Sequence, residues 1–419
     1  MMNQGAHQDT GTSAGEAQVR DFYERYPYPQ PVDNLDKYRQ RWQDTGRRRA
    51  EYHLFWPAHP YREDKSILVA GCGTSQAARY ALRWPAAQVT GIDFSATSVR
   101  YTEQLKRKYN LKNLQVHRLA IEQVHELETS FDQVVCTGVL HHLADPDAGL
   151  KALREVLNPD GVMHLMVYAP YGRAGIYLIQ EFARRIGIQA AEDEIDDLIA
   201  ALQVLPRGHP LENLLHEAPD FQRRAALADA LLNPQDRAYS VPQLFEFFES
   251  AGFKFDRWLR QAPYTPHCGA IASIPQVQRI LGLPLREQYA AAELFRGTMV
   301  RHSLVISRND HPAGSQRVDF NGSRWLRSVP IRIPETISVD QNLPPGAAAV
   351  LINQSHTYPD IYLPVNQIEK KIYDWIDGRR PITEIIAQLK LAQNSELAAG
   401  FFQRLWWYDQ VVFDMSRAD

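Results

Sequence analysis

The sequence has little of what marks secreted or membrane-spanning chains. Its 419 residues include only 3 cysteines, Cys72, Cys136 and Cys268, an odd number spread far apart. Such a pattern is typical of free thiols in a reducing compartment rather than of a disulfide framework. The chain has no run of about 18 apolar residues, and residues 1–15 lack the apolar core of a secretion signal. We therefore expect a cytoplasmic protein without a membrane partner.

A charge excess of one sign is also lacking. The chain has 46 Lys and Arg residues against 49 Asp and Glu residues, a formal net charge of -3. This balance gives no general attraction for a polyanion, so we expect no nucleic-acid partner. The apolar fraction of 44% is ordinary for a globular enzyme, and the length exceeds what one hydrophobic core usually serves. Two or three packed units are expected.

Residues 61–310 carry the pattern of an α/β unit. Short apolar runs alternate with helical stretches, which predicts βαβ units and a doubly wound, mostly parallel sheet. A helix predicted over 148–157 is capped by Asp145 or Asp147 and ended by residues 159–161. The predicted strands cover 66–70, 88–92, 114–119, 131–137 and 162–168, with later strands at 253–260 and 299–307 after a capped helix at 240–251.

Three other regions flank or interrupt this unit. Residues 1–60 are rich in aromatic side chains and predict an N-terminal cap, while residues 171–239 lack strand patterning and predict a helical insertion. Residues 311–341 are rich in glycine, proline and serine and predict a linker. Residues 342–419 predict a small α+β domain, with helices at 363–376 and 382–389 and a helix end followed by a strand within 401–412.

A glycine turn and an acidic residue indicate a nucleotide or nucleoside site. Gly71 and Gly73 follow the first predicted strand, where the backbone approaches a ligand at the carboxyl edge of a parallel sheet. Asp93 follows the second strand, where a carboxylate accepts bonds from ribose hydroxyls. The alternatives are a tight turn and a helix cap. The third glycine of the dinucleotide fingerprint is replaced by Gln76, which disfavours a pyrophosphate and hence an NAD(P)-dependent oxidoreductase.

These segments together resemble the class I S-adenosylmethionine (SAM)-dependent methyltransferases with a Rossmann-like fold, over about residues 20–310. The matching segments are VAGCGT from Val69, GIDFS from Gly91, FDQVVCTGVLHHLADP from Phe131 and LREVLNPDG from Leu153. The resemblance implies SAM as cofactor and departs from the family pattern at Ser75, in place of a third glycine, and at Ala120, in place of an aspartate that contacts adenine. The implied cofactor-binding residues are Gly71, Cys72, Gly73, Ser75, Asp93, Phe94, Ser95, Ala120, Ile121, Thr137, Gly138 and Val139.

Methyl transfer from a sulfonium needs alignment of donor and acceptor more than acid–base chemistry. His142, at the exit of the fourth strand, is the candidate general base, and Tyr23, Tyr26 and Tyr28 are candidates to close over the site. The alternatives are that His141 and His142 satisfy the strand exit or pack on the cofactor, and that the tyrosines only attach the cap. No metal site is expected, because adjacent histidines diverge and no ligand cluster accompanies them.

The acceptor is open at this stage. The tail from Leu363 is similar to PqqD-like winged-helix domains, which implies a peptide or protein acceptor paired with an edge strand. Otherwise the tail is a lid or dimerisation element, with Trp406 and Trp407 as anchors, and a homodimer is a further expectation. The expected function is methyl transfer to an N, O or S nucleophile of a small molecule, peptide or protein. The alternative is a non-catalytic protein of the same fold that holds a peptide.

Overall fold

The computed structural model describes residues 14–26, 29–188, 191–217, 223–311, 318–391 and 395–416. Its centre is a seven-stranded sheet of order β3-β2-β1-β4-β5-β7-β6. Strands β1 to β5 run parallel, and β7 runs antiparallel to both of its neighbours. The predicted α/β class is confirmed. The strands are β1 (Ser66–Ala70), β2 (Gln88–Asp93), β3 (Leu114–Arg118), β4 (Phe131–Thr137), β5 (Leu157–Tyr168), β6 (Phe253–Trp258) and β7 (Arg301–Arg308).

Both faces of this sheet are buried, as the nearly continuous apolar strands require. Leu68 and Val134 pack into the core on one face, whereas Val69 and Val135 pack into the core on the other. The strand order reverses between β1 and β4, so the carboxyl ends of these two strands leave a crevice. This crevice is where ligands bind in open α/β sheets.

Helices cover the sheet and fill the predicted cap and insertion. Those before and between the parallel strands are α1 (Ala14–Arg25), α2 (Asp36–Arg41), α3 (Thr45–Phe55), α4 (Gln76–Arg83), α5 (Ala96–Tyr109) and α6 (Pro146–Glu155). Those after β5 are α7 (Ala174–Ile186), α8 (Glu192–Gln203), α9 (Glu212–Glu217), α10 (Arg224–Leu232), α11 (Val241–Ser250), α12 (Val277–Leu281) and α13 (Leu285–Arg296).

Two predicted boundaries in this unit are wrong. Helix α6 begins at Pro146 and ends at Glu155, with Asp145 accepting from the Ala148 N–H as predicted. Residues 159–161 do not end a helix but belong to β5, which already begins at Leu157. The reason is tertiary, because Leu157 pairs with Phe131 and the register then shifts before the regular part of the ladder.

The tail has its own hydrophobic core. Its strands are β8 (Val329–Arg332), β9 (Thr336–Val339), β10 (Ala349–Asn353), β11 (Leu363–Val365) and β12 (Val411–Asp414), and its helices are α14 (Gln367–Asp374), α15 (Ile382–Gln388) and α16 (Ser395–Trp407). The linker predicted over 311–341 is therefore partly wrong, since β8 and β9 lie in it; residues 312–317 lie outside the described residues.

The helix predicted over 363–376 is wrong in its first residues. Leu363 and Val365 pair with β10, and Asn366 then caps α14 in a capping box with Glu369. Pro364 lies within β11 and disfavours helical angles at Leu363, since the residue before a proline avoids them. The winged-helix assignment of this tail, like the division of the chain into domains, stays a prediction.

Several contacts attach the tail to the larger unit. The Trp407 and His267 rings stack with centroids 3.8 Å apart, and the Ala262 N–H donates to the Asp409 carboxylate over 2.9 Å. The Gln261 amide donates to the Trp406 carbonyl over 2.6 Å. Over the part of the chain that the structure describes, none of the helices has the length and apolar character needed to cross a membrane.

Candidate functional site

The turn after β1 is held in a conformation that favours glycine. Gly71 has a φ of +66° and Gly73 a φ of +53°. A Cβ placed on Gly71 would lie 2.4 Å from Cγ2 of Val139, which follows β4. Cys72 is buried, and its N–H donates to the Ile92 carbonyl over 2.9 Å. The turn therefore packs against the end of β4 and is tied to β2, which brings the predicted segments together.

Asp93 fastens the same turn at the end of β2. Its carboxylate accepts from the Gly73 N–H over 2.8 Å and from the Ser95 N–H over 2.9 Å. Burial raises the pKa of Asp93 to about 6, against the opposing effect of these two bonds, and the charge of Glu24 raises it further. Each carboxylate oxygen keeps acceptor capacity beyond its backbone bond, so the group suits a ligand that offers a pair of hydroxyls.

Helix α1 covers this corner with Glu24, which the sequence did not single out, and with Tyr23. The Glu24 carboxylate accepts from the Ala96 and Thr97 N–H groups over 2.6 and 3.2 Å, at the exposed start of α5. Tyr23 contacts Phe94 edge-on, with ring centroids 6.2 Å apart. Carboxylates stabilise helix N-termini, but only the fold brings residue 24 to residue 96, so no local signal indicated this role.

The end of β4 contributes Thr137, Gly138 and Val139. Gly138 has a φ of +78°, and its N–H donates to the Met166 carbonyl over 3.1 Å. The Gln76 amide donates to the Thr137 hydroxyl over 2.6 Å. Gln76, which stands where the dinucleotide fingerprint has its third glycine, thus lies at the site and contacts β4. No pattern in the sequence indicated this role.

Four further predicted cofactor residues lie around this crevice. Ser75 is buried as the N-cap of α4 without a side-chain cap bond, whereas the Ser95 hydroxyl accepts from the Ser98 N–H over 3.2 Å and so caps α5. Ala120 precedes the 3-10 helix Ile121–Leu127, in which Ile121 is buried.

His142 lies at the strand exit in a buried aromatic cluster. Its Nδ1 is 2.6 Å from the Gln235 carbonyl oxygen, and its ring centroid is 5.6 Å from that of Tyr168 and 6.2 Å from that of Tyr23. A carbonyl only accepts, so Nδ1 carries a proton, and Nε2 is the ring nitrogen that can accept one. Burial, with the charges of His142 and Arg173, lowers the pKa of the adjacent His141 well below its usual range.

Of the three tyrosines suggested to close over the site, Tyr23 contacts residues of this corner. Tyr26 packs on Phe22, with ring centroids 5.5 Å apart, and Tyr28 lies outside the described residues. Tyr23 contacts both Phe94 and His142, and its hydroxyl donates to the buried Asp229 over 2.8 Å. The sequence does not show which of several neighbouring aromatic residues faces the site, because the packing of α1 decides which one points inward.

A cavity of about 660 Å³ opens beside this crevice, and we call it the chamber. Its walls come from α2, α3 and α4, from the ends of β4, β5 and β7, and from tail residues 355–358. Gln76 and Thr137 line the chamber and also border the glycine turn. The chamber therefore meets the cofactor crevice at this pair.

Comparisons with known proteins agree with this geometry. Residues 68–163 match a family model described as a methyltransferase domain. An uncharacterised protein of a Synechococcus species is 32% identical over 256 residues, which cover 57% of this chain and 60% of that protein. A ubiquinone biosynthesis O-methyltransferase of Neisseria meningitidis is 28% identical over 122 residues, which cover 29% of this chain and 51% of that enzyme. The chain thus spans about half to three-fifths of the length of these relatives.

A solved structure shares the fold over most of the chain. PKMT2 from Rickettsia typhi superposes with a TM-score of 0.61 at 13% identity, covering 89% of this chain and 75% of that one. The glycine turn, the buried carboxylate after β2 and the segment after β4 fit a nucleoside with an amino-acid arm and no phosphate. The matched segment, the sheet and this crevice together identify a class I SAM-dependent methyltransferase domain in this chain, with SAM as its cofactor.

Proposed function

We propose that this protein transfers a methyl group from SAM to an N, O or S nucleophile of an acceptor. The observation that carries the proposal is the junction at Gln76 and Thr137, where a large cavity meets the crevice formed by Gly71, Gly73 and Asp93. An acceptor in that cavity approaches the crevice at its open side. When bound, SAM supplies an activated methyl group on a sulfonium.

The residues of the chain hold and orient the two reactants. Asp93 would accept hydrogen bonds from the ribose hydroxyls, and Phe94 would flank the adenine. The glycine turn lets the backbone pass beneath the amino-acid arm, with Val139 fixing its position. Alignment of this kind contributes most of what an in-line displacement needs, because charge disperses rather than builds up as the methyl group moves.

His142 is the proposed general base for an acceptor that must lose a proton. Its Nδ1 is held by the Gln235 carbonyl, so Nε2 is the atom that would take the proton. His142→Gln should lower kcat about 100-fold, with the S-adenosylhomocysteine (SAH) Kd unchanged. Turnover equal to that of the unaltered protein would exclude the role.

Two alternatives are tested by the same samples. A non-catalytic protein that holds a peptide would bind SAH yet methylate nothing, and an oxidoreductase would bind NAD in its place. Isothermal titration with SAM, SAH and NAD distinguishes an oxidoreductase from a protein that binds SAM. Incubation of cell extract with methyl-deuterated SAM, followed by mass spectrometry, identifies any acceptor. Binding of NAD and not of SAH would overturn the proposal.

A further inference from the structure

The chamber walls carry an excess of positive charge. Two of the arginines are neutralised locally, because Arg83 pairs with Glu51 and Arg47 pairs with Glu335. Burial raises the pKa of Glu335, but the charges of Arg47, Arg260 and Arg41 lower it by more. The charged residues of the lining are five arginines and two glutamates, namely Arg47, Arg79, Arg83, Arg260, Arg301, Glu51 and Glu335.

Three arginines of this lining form no direct salt bridge among the residues that the structure describes, although the charge of Arg260 reaches Glu335 and Asp409 at longer range. Arg79 lies on α4, Arg260 follows β6 and Arg301 begins β7, so they approach the chamber from separate elements. Arg260 donates to Ser355 and to the Leu259 carbonyl, which leaves most of its five donors free. Guanidinium groups arranged in this way bind carboxylates and phosphates.

Several buried polar atoms of the lining also lack a hydrogen-bond partner within the described ranges. They are Nε of Arg79, Nδ1 of His164 and both ring nitrogens of His356. Burial and the charges of Arg260 and Arg296 lower the pKa of His356 to about 4, so its ring is neutral at pH 7. A neutral imidazole offers one donor and one acceptor, which suits a partly polar ligand. Buried polar atoms of this kind can be satisfied by a ligand in the chamber.

The positively charged side of the chamber is close to the proposed site of methyl transfer. Arg301 pairs across the ladder with Tyr168, whose ring contacts His142. Met166, two residues before Tyr168 on the same face of β5, lines the chamber. An acceptor whose anionic group is held by Arg260 and Arg301 therefore extends toward the junction at Gln76 and Thr137.

From these observations we infer that the methyl acceptor is a small organic anion, whose carboxylate or phosphate group is bound by Arg79, Arg260 and Arg301 in the chamber. The cavity volume of about 660 Å³ lies within the range of sites for small molecules, about 300–1,000 Å³. The identification of this anion as the methyl acceptor rests on the proposed function, whereas the anion site itself does not depend on it. In the transfer, the acceptor atom gains the methyl group, SAM becomes SAH, and a proton leaves the acceptor.

The first test is direct anion binding to the full chain. Phosphate and succinate are titrated separately into protein saturated with SAH, for the unaltered chain, for Arg260→Gln with Arg301→Gln, and for Arg184→Gln. Arg184 is a matched control on α7, outside the chamber, with its side chain 69% exposed. We expect millimolar binding of at least one anion, weakened at least fivefold by the double substitution alone. No binding of either anion, or equal binding by the double variant, would overturn the inference.

The second test identifies the acceptor class. A small-molecule ultrafiltrate of cell extract is separated on an anion exchanger, and each fraction is incubated with the protein and methyl-deuterated SAM. Label should enter the retained fraction, and the double variant should raise KM at least tenfold while kcat changes less than threefold. Label only in the unretained or the macromolecular fraction would contradict the inference. A chain that does not bind SAH would instead contradict the proposed function, and the same anion titrations without SAH would still decide the site.

Discussion

At the residue scale, Asp93 makes cofactor affinity depend on pH. Burial raises its pKa to about 6, and only the ionised carboxylate accepts from two ribose hydroxyls without offering a competing proton. At pH 5 roughly a tenth of these carboxylates are ionised in the free protein. We expect the SAH Kd from isothermal titration to rise about tenfold between pH 8 and pH 5, with affinity lost as pH falls through about 6.

Asp93→Asn is the control for this dependence. It should bind SAH weakly at pH 8 and show little further change at pH 5, because the amide does not titrate. If the SAH Kd of the unaltered protein does not change between pH 8 and pH 5, the Asp93 carboxylate does not bind the ribose hydroxyls.

Gly71 is the residue whose replacement the structure tolerates least in this turn. Gly71→Ala places a Cβ 2.4 Å from Val139 at a φ of +66°. Overpacking and the left-handed backbone together should lower the free energy of unfolding by about 2–4 kcal/mol and remove SAH binding. Urea unfolding measures the loss. Adding Val139→Ala should recover the stability lost through overpacking but not the stability lost through the left-handed backbone. A double variant no more stable than Gly71→Ala would contradict this division.

At the scale of elements, α1 stabilises the start of α5 from a distance in sequence. The bonds from Ala96 and Thr97 to Glu24 satisfy N–H groups that a helix start leaves unpaired. Glu24→Ala should lower the free energy of unfolding by about 1 kcal/mol and weaken SAH binding severalfold, because residues 93–95 lose support.

The matched control for this effect is Asn366→Ala. Asn366 caps α14 in the tail by accepting from the Ile368 and Glu369 N–H groups, so its loss should cost about the same stability. It lies far from the crevice, and SAH binding should not change. Equal weakening of SAH binding by both variants would indicate a general loss of stability rather than a contribution from α1.

At the scale of the whole molecule, the tail completes the chamber. Residues 355–358 form one wall, and the stacking of Trp407 on His267 helps to hold the tail in place. Trp407→Ala should therefore lower kcat/KM about tenfold, since a small shift of the wall misplaces the acceptor, while the SAH Kd stays the same. Steady-state kinetics measure the change in kcat/KM, and isothermal titration measures the SAH Kd. A parallel loss of SAH binding would mean that the tail supports the crevice itself.

The sequence alone predicted the parts of this protein that depend on local pattern. Apolar periodicity placed β1 and β4 at the observed residues, and the glycines with Asp93 indicated the crevice, because parallel strands bring their carboxyl ends to one edge. It failed where pairing between distant residues overrides local preference, as at the start of β5, in β8 and β9, and at Leu363.

Only the tertiary structure decided which side chains share a site. Tyr23 rather than Tyr26 faces the crevice, Glu24 reaches α5, and Arg79, Arg260 and Arg301 converge on one cavity from three elements. The reason is physical: strand and helix periods fix which face a residue takes within its own element, whereas packing between elements fixes what that face meets. The proposed cofactor site follows a local motif and is readable from sequence, whereas the proposed acceptor site is assembled from distant segments.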